Sequence, residues 1–174
     1  MTPKVLIPEE KIRQRVKELA DEISEAFKNT PVTILSVLKG AFVFTADLIR
    51  FMNVEVEVDF VRVKSYQGNR KGKLETIYKP ELNLKGRSVL IVDDILDTGE
   101  SLHFLYSEIL NHSPAELKTC VLLEKKRKKE VDIKPDFVGF TIPDRFVVGY
   151  GLDINDMYRG LPYIGYIEKN YEEK

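Results

Sequence analysis

The sequence predicts an α/β protein: a parallel sheet flanked by helices, with a small added lobe and a mobile lid loop. Three observations predict it. Apolar runs of strand length alternate with stretches of helical periodicity along most of the 174 residues, an alternation that favours parallel strands joined by crossover helices. The polar, chemically distinctive residues fall just after the apolar runs, where an open α/β sheet has its ligand crevice. The composition, 43% hydrophobic and 32% charged, is that of a globular chain with a sizeable core.

A helix comes first. From Glu9 to Lys28, apolar Ile12, Val16, Leu19, Ile23 and Phe27 recur every three or four positions among charged residues, which predicts an amphipathic helix. Residues 32–38, after Pro31, form a short apolar run of strand type, and a second helical pattern covers 41–52. Val54, Val56, Val58 and Phe60 alternate with Glu55, Glu57 and Asp59, so this strand has one wet face and ends near Lys64. Residues 65–80 are rich in glycine, lysine, arginine and asparagine, which predicts a long mobile loop able to act as a lid. A buried strand at 88–92, a helix near 99–111 and an apolar run at 117–123 come next. After a basic loop at 125–134, short β-like runs at 137–141, 145–150 and 163–167 are joined by turns containing Pro143, Gly151 and Pro162. These predict the added lobe, contributed by about residues 135–174. No repeat, low-complexity tract or linker interrupts the chain, so a single domain over 1–174 is expected.

Composition also excludes. A formal charge of −1 argues against a general nucleic-acid binder. The single cysteine, Cys120, cannot form an internal disulfide and reads as a core residue in a reducing compartment. No signal-peptide core occupies residues 1–30, and no apolar run approaches the roughly 18 residues of a membrane span, so a cytoplasmic, membrane-free location is expected. His103 and His112 are nine apart and do not share a helix face at metal-ligand spacing. Asn111-His112-Ser113 has the form of a glycosylation acceptor, but nothing routes the chain to secretion. Gly68 to Lys73 mimics a P-loop, yet has three residues between its glycines and Leu74 where Ser or Thr is needed.

The chemistry concentrates at residues 89–101. Val89 to Val92 form a buried strand, Asp93 and Asp94 stand where it is expected to stop, and Asp97-Thr98-Gly99-Glu100-Ser101 opens the next helix. Such a turn can grip a phosphate, because free N–H groups converge at the positive end of a helix and glycine permits close approach. Acids beside a phosphate cradle repel the ligand unless they hold Mg²⁺ or sugar hydroxyls. The pairing suggests a ribose phosphate. Leu38-Lys39-Gly40, between a strand and a helix, can also offer backbone to a phosphate oxygen.

Residues 89–101 closely resemble the phosphoribosyl pyrophosphate signature of the type I phosphoribosyltransferases. Ser36 to Phe42, the Ser65-Tyr66 pair, Lys125, Lys134 to Phe140, Ile142 to Asp153 and Met157 to Gly160 resemble, in order, the further motifs of the hypoxanthine-guanine phosphoribosyltransferases. The resemblance runs from about Pro31 to Ile167. It implies that Lys39, Gly40, Ser65, Tyr66 and Arg159 meet pyrophosphate, and that the Leu38–Lys39 peptide bond can be cis. It implies that Asp93 and Asp94 hold ribose hydroxyls and metal, with Thr98, Gly99, Glu100 and Ser101 around the 5′-phosphate. Asp97 then faces N7 of the purine as the base and also lies beside the ribose phosphate. Lys125 donates to the 6-oxo group, Phe146 stacks on the base, Val147 meets its edge through the backbone, and Asp153 binds a second Mg²⁺ and approaches the base edge.

The activity that the resemblance implies is purine salvage. Phosphoribosyl pyrophosphate and hypoxanthine or guanine give IMP or GMP and pyrophosphate, with Mg²⁺ as cofactor and a homodimer or homotetramer as the assembly. Two other readings compete: a xanthine-preferring enzyme, and a non-catalytic relative that senses nucleotides or binds RNA. Two positions depart from the family pattern. Asp93 stands where many members carry glutamate, one methylene longer, and Glu100 places a negative side chain in the phosphate turn, where it must point outward.

Overall fold

The structure, a computed structural model, describes residues 2–66 and 72–168, and of Tyr66 the backbone alone. Residues 67–71, with most of the P-loop look-alike, lie outside the described residues. The elements are β1 (Lys4–Ile7), α1 (Glu9–Ala26), β2 (Val32–Val37), α2 (Phe42–Phe51), β3 (Val56–Tyr66), β4 (Lys73–Tyr78), β5 (Ser88–Leu96), α3 (Glu100–Leu110), β6 (Glu116–Lys125), β7 (Phe137–Ile142), β8 (Val147–Val148) and β9 (Ile164–Tyr166).

Six strands form the main sheet in the order β4-β3-β2-β5-β6-β7. All neighbouring pairs are parallel except β3 and β4. Its two faces bury different side chains. On one, Ile12, Val16, Leu19 and Ile23 of α1 and Phe44 and Leu48 of α2 pack with Ile34, Leu90, Val92 and Leu122. On the other, Leu102, Leu105 and Ile109 of α3 pack with Leu35, Val89, Ile91 and Val121. The strict alternation of Leu90 and Val92 against Val89 and Ile91 is the period-two pleat of a strand covered on both sides. Arg15 of α1, partly buried, donates to the carbonyls of Val138 and Gly139 (both 2.8 Å) and so moors the helix to the edge strand β7.

Four sequence expectations change. First, β5 does not stop at the acids but runs to Leu96. Its pairing with β2 ends at Ser36↔Val92, while its pairing with β6 continues to Leu96↔Glu124. The carboxylates therefore leave the sheet on one flank only. Second, the described part of 65–80 is largely strand: β4 pairs antiparallel with β3 from Arg62↔Tyr78 to Tyr66↔Lys73, because the backbone of a polar segment still completes a sheet edge. Third, β7 joins the main sheet beside β6 rather than the added lobe. Fourth, the lobe is a three-stranded sheet, β1-β9-β8, that recruits residues from the N-terminal end. Ile7, Val147, Tyr150, Leu152 and Ile164 of this lobe share the cluster beneath α1. Among the described residues, no helix is long and apolar enough to cross a membrane.

Candidate active site

The parallel strands β2, β5 and β6 end on the same side of the sheet, and their C-terminal ends deliver Lys39-Gly40, Asp93 to Thr98 and Lys125 to one crevice. A cleft of about 400 Å³ lies at the ends of β2 and β5, lined by Lys39, Gly40, Asp93, Asp94, Asp153 and Arg159, among others. The peptide bond between Leu38 and Lys39 is cis. Gly40 is required by proximity rather than by φ: a Cβ there would overlap Asp94 Oδ2. Gly151, at φ +99, sits against the Gly40 carbonyl so closely that its own Cβ would overlap that oxygen. The loop carrying Asp153 and Arg159 is thus docked directly on Lys39-Gly40.

Arg159 is held at three points. It donates to Gly151 O (2.7 Å) and pairs with Asp153 Oδ1 (3.1 Å) and Asp156 Oδ1 (3.4 Å). Lys39 Nζ lies 3.2 Å from Asp156 Oδ1, and the two cations together hold the Asp156 carboxyl below its usual range. Sequence reasoning missed Asp156, which lies in a loop with no motif signal. Asp93 and Asp94 behave in the opposite sense. Burial, then the neighbouring charge, pushes the Asp93 carboxyl well above the ordinary range, and burial also raises Asp94, against a lowering pull from Arg159. The two carboxylates accept from the backbone N–H groups of Asp94 and Ile95 respectively (2.8 Å each). A buried acid beside a partly buried one calls for hydroxyls or a cation as well as these backbone donors. Among the described residues no three His, Cys, Asp or Glu side chains form a metal-holding cluster. That donor set fits Mg²⁺, which is commonly held by one or two carboxylates while substrate oxygens and water fill the octahedron.

Beside this cleft, a smaller cavity of about 210 Å³ is lined by Ile95, Asp97, Lys125, Phe146, Val147 and Asp153, among others. Phe146 is half exposed at its mouth, whereas Val147 is buried in β8. Lys125, with only 11% of its side chain exposed, places Nζ 3.2 Å from Asp97 Oδ2 and 3.6 Å from Asp144 Oδ1. Asp97 Oδ1 also accepts from Arg127 Nη1 at 2.9 Å. The sequence identified Asp97 and Lys125 but neither Arg127 nor Asp144.

The 98–101 segment opens α3. Gly99 adopts φ +88 at the N-cap of α3 and offers no side-chain cap; Glu100 N donates to Thr98 Oγ1 (3.4 Å), and the positive end of the helix faces outward beyond that contact. Thr98 O accepts from Glu130 N (2.9 Å), and Glu100 is exposed. The hairpin stands elsewhere than expected. Ser65 lines a groove of about 640 Å³ with Glu100, Ser101 and His103 instead of the Lys39–Arg159 cleft, because the antiparallel strands lean over the start of α3. Tyr66 has only its backbone described, as the end of β3.

A sequence model of the phosphoribosyl transferase domain matches residues 7–155. The hypoxanthine-guanine phosphoribosyltransferase of Aquifex aeolicus is 44% identical over 168 residues, covering 95% of this chain and 94% of that one. The hypoxanthine phosphoribosyltransferase of Buchnera aphidicola is 41% identical over 168 residues, covering 94% and 95% respectively. A crystal structure of a hypoxanthine-guanine phosphoribosyltransferase from Bacillus anthracis, with HEPES in its active site, matches with a TM-score of 0.92 at 42% identity. The match covers 96% of this chain and 100% of that one.

Proposed function

The chain belongs to the phosphoribosyl transferase family, and on that basis we propose that it is a purine-salvage enzyme acting on hypoxanthine, guanine or both. It transfers the 5-phosphoribosyl group of phosphoribosyl pyrophosphate to N9 of the base, releasing pyrophosphate and IMP or GMP. One observation carries this reading. The cleft that joins Lys39-Gly40 to Asp93, Asp94 and Arg159 adjoins a base-sized cavity in which a nearly buried Lys125 faces Asp97.

Each residue then has a chemical task. Lys39 and Arg159 neutralise the pyrophosphate, the latter with a planar fork already oriented by Gly151 O. Asp93 and Asp94 accept from the ribose hydroxyls. The first-turn amides of α3 and the Thr98 and Ser101 hydroxyls take the 5′-phosphate. Lys125 donates to the 6-oxo group, and adenine would instead turn an amino group toward a buried ammonium, leaving a charge unpaired. Phe146 stacks on the base, and Val147 meets its edge. As positive charge develops on the sugar, Asp97 shares the N7 proton and raises the nucleophilicity of N9. One Mg²⁺ would be held by Asp93 and Asp94 and a second by Asp153, and the bound metal would supply Lewis-acid stabilisation to the leaving group. Ser65 and Tyr66 complete the pyrophosphate contacts if the β3–β4 hairpin swings over the cleft as a lid.

A cytoplasmic enzyme suits the single, unpaired Cys120 thiol. Exposed Phe42 and Phe60 suit burial in a homodimer or homotetramer. The test supplies purified protein with Mg²⁺ and phosphoribosyl pyrophosphate, adds hypoxanthine, guanine, xanthine, adenine or orotate separately, and follows nucleotide formation. Hypoxanthine or guanine should be used at least about 100-fold more efficiently than adenine, in keeping with the cost of an unpaired buried donor. Preference for adenine or orotate would remove the role given to Lys125, and preference for xanthine would move the base assignment.

A further inference from the structure

We propose that Arg127 and Asp144 are positioning residues for the Asp97–Lys125 pair, each holding one member of the pair while a 6-oxopurine bridges the two. The proposal rests on the purine-salvage reading. Four groups of alternating charge stand in a row: Arg127 Nη1 is 2.9 Å from Asp97 Oδ1, Asp97 Oδ2 is 3.2 Å from Lys125 Nζ, and Lys125 Nζ is 3.6 Å from Asp144 Oδ1. The two cations use different oxygens of Asp97. A base that presents its oxo group to Nζ and N7 to Oδ2 therefore replaces the central contact alone. Arg127 then still holds Oδ1 and fixes the carboxylate plane, and Asp144 still anchors the ammonium.

The basic run 125–129 has the composition of a solvated arm, but its backbone is fastened on three sides. Lys126 N donates to Ile142 O (2.8 Å) and Glu130 N to Thr98 O (2.9 Å), while Lys129 Nζ caps Lys125 O (2.8 Å). Arg127 is thereby held over the C-terminal end of β5. Asp144 comes just after β7, so the four groups come from the ends of three adjacent strands, and their alignment is a product of the sheet order β5-β6-β7.

The outer side chains are partly exposed, so each outer contact is screened and its loss is modest on its own. Double-mutant cycles read it directly. With hypoxanthine and phosphoribosyl pyrophosphate, Arg127→Met should lower kcat about three- to tenfold with KM for phosphoribosyl pyrophosphate unchanged, and Arg127→Lys should restore most of it. Asp144→Asn should raise KM for hypoxanthine by a similar factor, and Asp144→Glu should recover it. Each loss should vanish once its inner partner is removed, Arg127→Met in an Asp97→Asn background and Asp144→Asn in a Lys125→Met background. Losses that multiply in the double variants, or outer variants that behave as wild type, overturn the proposal while the purine reading stands. A wild type that makes no nucleotide from any 6-oxopurine overturns the reading and the proposal together.

Discussion

At Gly40 a single hydrogen in place of a methyl group decides whether Asp94 can stand beside the Lys39 loop, since an added Cβ overlaps Asp94 Oδ2. The other carboxylate oxygen is fixed by Ile95 N at 2.8 Å, so the carboxylate yields only by losing that bond. Gly40→Ala should raise KM for phosphoribosyl pyrophosphate at least about tenfold while moving the thermal midpoint little, because the strain falls on a side-chain terminus in the site. Asp93 carries a different cost. Its carboxyl is held well above the ordinary range by burial and then by Asp94, whereas the unfolded chain ionises it near about pH 4. Above that pH the unfolded chain has lost the proton and the folded one keeps it, so folding loses stability until the pH passes the raised value. Asp93→Asn retains the acceptor for Asp94 N and abolishes the titration. In chelator-treated protein at about pH 7, its melting temperature should exceed that of wild type by about 2–4 °C per kcal/mol recovered, and the gap should close near about pH 4. A variant that melts lower at both pH values would show that the carboxylate stabilises the fold.

The element scale decides which residues become neighbours. Asp93 and Asp94 read as strand terminators, yet β5 continues because β6 keeps pairing with it after β2 has ended. A local pattern contains no trace of an uneven partner. The strand β1 is equally invisible, being four residues whose register is set by β9 near the opposite end of the chain. By contrast, α1 was legible because its apolar spacing is local, and so was the 98–101 turn, because glycine after a buried strand has few alternatives. Asp156 and Arg127 carried no such signal, and Asp144, though inside the 142–153 motif, carried none that joined it to Lys125: the Lys39–Asp156 contact spans 117 positions. At this scale Gly151 is the joint between the Arg159 loop and the Lys39 loop. Gly151→Ala meets both a left-handed backbone and the Gly40 carbonyl. It should cost at least about 1–3 kcal/mol in urea denaturation and also raise KM for phosphoribosyl pyrophosphate. A loss of stability with unchanged KM would uncouple the two loops.

Across the whole molecule, one sheet with α1 and α2 on one face and α3 on the other buries both faces of β5 and leaves its C-terminal end as the place for chemistry. Cys120 belongs to that interior: it is fully buried, and burial pushes its thiol far up, so it has no thiolate to offer. Ellman's reagent should leave the native protein unmodified and titrate one thiol in denaturant, and rapid native labelling would contradict this packing. The bare chain was enough for the alternation of strands and helices, the family and the choice of Lys39, Asp93, Asp94, Asp97, Lys125 and Arg159 as candidates, which line the two neighbouring cavities, since periodicity and motif chemistry are written within a few residues of each other. Folding in three dimensions had to settle how far β5 extends, that β4 pairs with β3 beside the start of α3, and that Asp156, Arg127 and Asp144 complete the charge arrangement. Those outcomes depend on which strands lie side by side, and strand order is set by the packing of the whole sheet, not by any neighbouring residue.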